Sequence, residues 1–308
     1  MRNAFADEIT KLAQSDERIV LLSGDIGNRL FDTFKEKCPG RFHNCGVAEA
    51  NMIGMAAGMA LAGMRPVCYT ITPFVTYRCM EQIRVDVCYH DLPVMIVGTG
   101  AGLAYASLGA THHSCEEVGM LRLLPNMSVL APADPMEVRS CLRAAMAHDH
   151  ATYMRIGKKG EASIHPEPPV WSIGSNQVMH EGKDVSLLVA GVLLPAALAA
   201  AELLALDGIS AEVVTCPTIK PLDGALMKRV FGSRQIVATL EEHSVLGGFG
   251  GAVAEWRSDE APLGARLLRF GTPDEFLHET CEQEHAHEKF GLTGPAVAAR
   301  IRESFQAR

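Results

Sequence analysis

Short runs of β-branched and apolar residues alternate with helix-length stretches along this chain, and that alternation leaves few folds open. Residues 19–23 (IVLLS), 66–72 (PVCYTIT), 93–97 (PVMIV), 127–130 (MSVL) and 152–156 (TYMRI) read as strands, since four to eight such residues between turn signals suit a strand buried on both faces. Helical patterns near 47–63, 75–89, 115–124 and 134–147 lie between them. Strands that alternate with helices build a parallel, doubly wound sheet of the α/β class. A helix at the start, with Phe5, Ile9 and Leu12 on one face, precedes the first strand.

Residues 163–182 (SIHPEPPVWSIGSNQVMHEG) are rich in Pro, Gly and Ser and read as a linker. The alternation then restarts, with VSLLVAGVLL as a strand, a helix over 195–207, AEVVTC as a strand, a helix over 223–231, IVATLEE as a strand, a helix opened by the glycines of 247–251, ARLLRF as a strand and a helix over 294–306. The expected organisation is therefore an α/β domain over 1–162, a linker over 163–182 and a smaller α/β domain over 183–308.

Composition removes several classes of function. A net charge of −8 argues against nucleic acid or an anionic membrane as the main partner. No apolar run approaches the roughly 20 residues a membrane-spanning helix needs, and the N-terminal stretch lacks the apolar core of a signal peptide, so a cytoplasmic setting is expected. The nine cysteines include no C-x-x-C pair, which points to reduced, buried thiols rather than a zinc site or disulfide framework.

In a doubly wound sheet the ligand lies at the carboxyl ends of the strands. Asp25, Phe74, the 99–113 loop and Arg155 all fall there. Glu49 opens a helix of Ala, Gly and Met (EANMIGMAAGMAL) that has small or flexible residues on every face, the composition of a helix covered completely by a neighbour. A carboxyl group desolvated in such surroundings holds its proton and can donate it to a ring nitrogen; alternatively, Glu49 complements the helix macrodipole. Phe74 reads as a stacking wall or as a core residue at a strand-to-helix turn. Adjacent His112 and His113, with Cys115 close by, lie in a Gly-rich loop suited to proton relay, and metal binding is disfavoured because neighbouring side chains rarely converge on one ion. Arg155 reads as an anion-binding fork or a solvated surface group, and Asp25 as a site acid or a helix cap.

These segments, in this order, resemble the C-terminal section of the transketolase family, a pyrimidine-binding domain followed by the transketolase C-terminal domain. GRFHNCGVAEANMIGMAAGMALAG is similar to the family segment whose glutamate hydrogen-bonds the cofactor's aminopyrimidine, TPFVTY to the aromatic pocket for that ring, and GATHHS to the segment with a substrate-contacting histidine; LPNMSVLAPADPMEV and EEHSVLGGFGG are further family-like runs. The resemblance implies thiamine diphosphate and Mg²⁺ as cofactors, Glu49 at the pyrimidine N1′, Phe74 stacked on the ring, Tyr77 at its edge, Asp25 near the rings, and His112, His113 and Arg155 toward the substrate. It implies no metal ligand in this chain. The apparent Gly24-Asp25…Asn51 metal motif is a decoy, with Ile26 where the family has its third glycine. Two departures stand out: Leu108 replaces an aspartate that reads a substrate hydroxyl, and Gly100 stands near the position of a phosphate-binding histidine. A plain xylulose 5-phosphate donor is therefore not expected.

The diphosphate and Mg²⁺ belong to a domain supplied by an N-terminal transketolase subunit, so the expectation is a split enzyme, α2β2, that moves a two-carbon ketol unit between anionic sugars. The other readings are the E1 β subunit of a 2-oxo acid dehydrogenase, a 1-deoxyxylulose-5-phosphate synthase-like carboligase, and a structural or regulatory subunit without chemistry.

Overall fold

The computed structural model describes residues 1–27, 29–262 and 264–307. Among the described residues, twelve strands are distributed over two sheets. In the first, β1 (Ile19–Ser23), β2 (Phe42–Asn44), β3 (Arg65–Ile71), β4 (Met95–Thr99), β5 (Met127–Leu130) and β6 (Ala151–Ile156) pair in parallel in the order β5-β6-β4-β3-β1-β2. In the second, β8 (Val185–Ala190), β9 (Ala211–Thr215), β11 (Ile236–Ser244) and β12 (Arg266–Thr272) pair in parallel in the order β12-β11-β8-β9. The two remaining strands are short and antiparallel. β7 (Gln177–His180), inside the stretch read as a linker, pairs with β9, and β10 (Thr218–Lys220) crosses back to pair with β5, becoming the seventh strand of the first sheet.

Both faces of the first sheet are covered, as its apolar strands require. Ile19, Leu21, Val67, Tyr69, Met95 and Val97 point into a core with α1 (Arg2–Ser15), α2 (Asp32–Lys37) and α7 (Pro135–Met146). Val20, Leu22, Cys68 and Ile96 point the other way, against α3 (Glu49–Leu61) and α6 (Glu117–Arg122). Neighbouring residues on one strand thus feed opposite cores, the period-two consequence of the pleat. The second core continues without a break into Val214, Cys216, Met227, Val230 and Phe249 of the C-terminal half, where α9 (Gly224–Ser233) and α10 (Phe249–Glu260) lie. A third core packs α8 (Leu194–Leu206) and α12 (Gly294–Gln306) on the far side of the second sheet.

Two local expectations are corrected. The helix expected over 75–89 is broken into α4 (Thr72–Val75), a 3₁₀ turn at Tyr77–Cys79, α5 (Met80–Gln82) and a π segment at Ile83–Tyr89. Thr76 Oγ1 donates back to the Thr72 carbonyl at 2.7 Å, a side-chain bond that bends helices. The strand expected through residue 194 stops at Ala190, because Gly191 takes a φ of +78° and Pro195 sits in the first turn of α8. On α3, Asn51, Gly58 and Leu61 are exposed on one side of the single chain, and a methyl group added at Gly58 would meet nothing within 4 Å.

The segment after β6 is tied down by Asp134, the N-cap of α7. One carboxylate oxygen accepts from the Met136 and Glu137 amides, and the other accepts from the amides of Ile164 and His165. The His165 ring lies 3.1 Å from that second oxygen. α11 (Gln283–Lys289) completes the set of helices among the described residues.

Candidate active site at the carboxyl ends of the first sheet

Glu49 lies in the first turn of α3, against Gly24, the residue that follows β1. A side chain at Gly24 would fall 3.2 Å from Glu49 Cγ and 3.0 Å from Thr70, so glycine is what lets the carboxylate tuck against the sheet. Glu49 is 1% exposed. It does not sit alone among apolar groups: Arg78 Nη1 donates to its Oε2 at 2.6 Å. Arg78 follows Tyr77 in the 3₁₀ turn, and its guanidinium also stands 4.4 Å from the centroid of the Phe74 ring. Phe74 in turn meets the His112 ring edge-on at 5.2 Å. Glu49, Arg78, Phe74 and His112 thus form one continuous wall.

The loop that carries His112 is held at its base. Gly102 and Ser114 exchange backbone hydrogen bonds at 3.1 and 2.9 Å, and Tyr105 packs beneath Gly100 and edge-on to His112 at 6.0 Å. Burial, with His113 adding to it, pushes the His112 pKa below its ordinary value, which leaves a neutral imidazole at pH 7. Its Nδ1 is 2.9 Å from Thr111 Oγ1. His113 turns away instead, buried with Nε2 3.4 Å from the Ala106 carbonyl. The two histidines face different neighbours.

Tyr77 stands at the edge of this wall, its hydroxyl donating to Glu116 Oε2 at 2.5 Å. Asp25 is exposed at the tip of the β1 turn with a φ of +56°. Asn44 Nδ2 donates to its Oδ1 at 2.9 Å, and the Gly46 amide donates to Asn44 Oδ1 at 2.9 Å. Asp25 therefore helps to order the turn that leads into Glu49.

Arg155 is neither solvated nor free. Buried behind the loop, it lies 3.1 Å from Glu117 Oε1 through Nε, and its Nη2 donates to the carbonyls of Ser114 and Glu242 at 3.2 and 3.1 Å. Burial pushes the Glu117 carboxyl up to about 7, against the pull of Arg155. With these donors committed internally, Arg155 acts as a strut joining the His112 loop to the second half of the chain. Glu242 completes the strut from the other side. Its carboxylate accepts from Gln283 at 2.7 Å, lies 2.6 Å from the His287 ring, and would collide with any side chain at Gly102.

Sequence reading misses Arg78, Glu117 and Glu242. Arg78 is signalled only by its place after Tyr77, and Glu242 by the EEHSV run; neither spacing discloses which side chain each meets.

The wall can receive a flat ring. Glu49 offers a carboxylate oxygen in a dry setting and Phe74 an aromatic face, and a planar N–H group, the Arg78 guanidinium, already satisfies both. A conjugated heterocycle with an N–H at its edge fits the same two contacts.

Two largely parallel α/β units gather a carboxylate, an aromatic wall and an imidazole at the carboxyl ends of the first sheet's strands, where sheets of this kind take their ligands. Residues 1–160 match the transketolase pyrimidine-binding domain and residues 174–297 the transketolase C-terminal domain. The chain is 36% identical over 309 residues to a putative transketolase C-terminal section of Methanocaldococcus jannaschii, covering 99% of this chain and 96% of that protein. It is also 36% identical over 304 residues to a 6-deoxy-6-sulfo-D-fructose transketolase subunit, SqwH, of Clostridium sp. (strain MSTE9), covering 98% and 94%. A solved split gene transketolase, described as an inactive beta4 tetramer, superposes with a TM-score of 0.90 at 34% identity, covering 98% of this chain and 97% of that one. The chain belongs to the transketolase family.

Proposed function

We propose that this chain is the C-terminal subunit of a split transketolase, which transfers a two-carbon ketol unit between phosphorylated or similarly anionic sugars once a partner subunit supplies the diphosphate-binding domain. The observation that carries this reading is the Glu49–Phe74–His112 wall, which can hold the pyrimidine half of thiamine diphosphate. The relatives matched nearly end to end support it, since they are themselves a transketolase section and a transketolase subunit. The partner would hold Mg²⁺ and the diphosphate, in an α2β2 assembly located in the cytoplasm. Among the described residues, no helix is long and apolar enough to cross a membrane. The open side of α3 is the surface assigned to assembly.

When bound, thiamine diphosphate supplies the carbon nucleophile that carries the two-carbon unit. This chain's residues do the rest of the work on its side of the site. Glu49 hydrogen-bonds the pyrimidine N1′, and Phe74 fixes the plane of the ring by stacking, worth about 0.5–1.5 kcal/mol beyond buried area. Tyr77, locked by Glu116, closes the ring's edge. His112, a neutral imidazole at pH 7, accepts or returns a proton at a sugar hydroxyl. His113 and Arg155 keep the loop in place rather than touching substrate, and Asp25 orders the approach to Glu49.

Calorimetry tests the reading. Thiamine diphosphate with Mg²⁺ should bind tightly to a mixture of this chain and the N-terminal subunit, and only weakly to either alone. Tight binding by this chain alone would overturn the split-site assignment, and so would a mixture that binds equally well after Glu49→Ala.

A further inference from the structure

The two groups assigned to the cofactor's pyrimidine are already engaged by a side chain of the same protein. Arg78 donates to Glu49 Oε2 at 2.6 Å while its guanidinium stands 4.4 Å from the Phe74 centroid. A guanidinium is flat and delocalised, carries N–H groups along its edge, stacks on aromatic faces and meets carboxylates in plane. An aminopyrimidine presents the same flat, delocalised face, with an exocyclic N–H beside a ring nitrogen that accepts a hydrogen bond rather than donating one. His112 occupies the other approach to Phe74, edge-on at 5.2 Å, so a ring laid on Phe74 within reach of Glu49 has to take the place of the guanidinium.

We propose that Arg78 is a built-in stand-in for the cofactor's pyrimidine, which fills the Glu49–Phe74 half-site in the chain without cofactor and turns outward when the cofactor enters. The proposal rests on the assignment of Glu49 and Phe74 made above. Two further observations support it. The Arg78 side chain is 45% exposed, so it stands at the mouth of the site and can leave into water. Its backbone is pinned on one side by the Tyr77–Glu116 bond and on the other by the Cys79 amide, which donates to the Thr76 carbonyl at 3.1 Å, so the movement is confined to the side chain.

The stand-in serves the fold as well as the ligand. Glu49 is almost fully buried, and a buried carboxylate with no partner is strongly destabilising; Arg78 keeps the empty site formed. It also sets a threshold, because a ligand's apparent affinity falls by the fraction of time the site is closed to it. A molecule that brings only a ring or only an N–H edge replaces one of the two contacts and competes poorly.

The half-site can be tested in this chain alone with the cofactor's pyrimidine half, 4-amino-5-hydroxymethyl-2-methylpyrimidine, titrated while the Arg78 Nε–H resonance is followed by nuclear magnetic resonance. Arg78→Met should bind the probe about tenfold tighter than the native chain. Arg78→Lys, which keeps the charge and loses the flat fork, should fall between the two. In the native chain the Nε–H signal should shift to that of a solvent-exposed arginine as the probe saturates. Weaker binding in both variants would overturn the proposal by making Arg78 a direct positioning contact for the ring. Unchanged affinity with an unmoved signal would overturn it by placing the ring elsewhere. Binding that is indifferent to Glu49→Ala would sink the Glu49–Phe74 assignment itself, a result distinct from either of those.

Discussion

Each half of the molecule brings a glutamate to a place where the sheet meets the start of a helix, and the two glutamates are treated in opposite ways. Glu241, on β11, accepts from the Phe249 and Gly250 amides at 2.6 and 2.7 Å and so caps α10. Burial pushes its carboxyl up to about 7 against those two bonds. Gly248 and Gly250 make the approach feasible, since a side chain at either would fall within 2.2 or 3.2 Å of the carboxylate oxygens. Glu49, in the first turn of α3, makes no capping bond and is held by Arg78. A carboxylate bound to backbone amides is fixed for the life of the fold. One bound to a half-exposed side chain can change partners, and only that kind can serve a ligand.

Substitutions at Glu49 and Glu241 should divide loss of function from loss of stability, with the buried Arg155 between them. Glu49→Ala should lower cofactor-dependent activity of the assembled enzyme about a thousandfold, while leaving the melting temperature of this chain within a few degrees. Arg155→Met probes the buried strut. It leaves Glu117 without its cation and should cost about 3–5 kcal/mol in chemical denaturation, and the double variant Arg155→Met/Glu117→Met should recover most of that loss. Glu241→Ala should show the reverse of Glu49→Ala: about 2–3 kcal/mol of stability lost because two buried amides go unpaired, with the Glu49–Phe74 wall still able to bind the pyrimidine probe.

The smallest effect sharpens the comparison with a third carboxylate. Burial pushes the Asp134 carboxyl up, but hydrogen bonds from His165 and from backbone amides outweigh it and hold the group at about 2. A depressed carboxyl contributes stability that is present above its unfolded value and lost as the pH falls through its folded one, here about 2 kcal/mol across roughly pH 4 to 2. The Asp134 hydrogen bond raises the pKa of His165, and that contribution is full below about pH 6.5 and fades as the pH rises through the raised value. Stability measured against pH should therefore be helped most between about 4 and 6.5, and Asp134→Asn should flatten both limbs.

The central fold is legible because its strands are buried on both faces, so residues such as Val20, Leu21 and Leu22 have to be apolar in succession. β7 and β10 are not legible: each is three or four residues long, and their pairing with β9 and β5 depends on a distant strand rather than a local pattern. The half-exposed edge strand β2 leaves as little trace. At the site, topology places Phe74 and the loop of His112 at the strand ends, and the resemblance adds Glu49. Neither says which polar residues are engaged internally, as the buried side chains of His113 and Arg155 are. Nor does any spacing reveal that Arg78 folds back onto a residue 29 positions earlier.

The excursion of β10 bears on how this chain can be divided. A fragment ending in the 163–182 region would leave β5 as a bare sheet edge, open to pairing with other chains, and would strip Val214, Cys216 and Phe249 from the core beneath α3 and α6. The two family domains are thus separable as units of comparison but not as pieces of material. A truncation, a graft or a recombination point placed between them would yield two insoluble halves, and the whole chain should melt in one step.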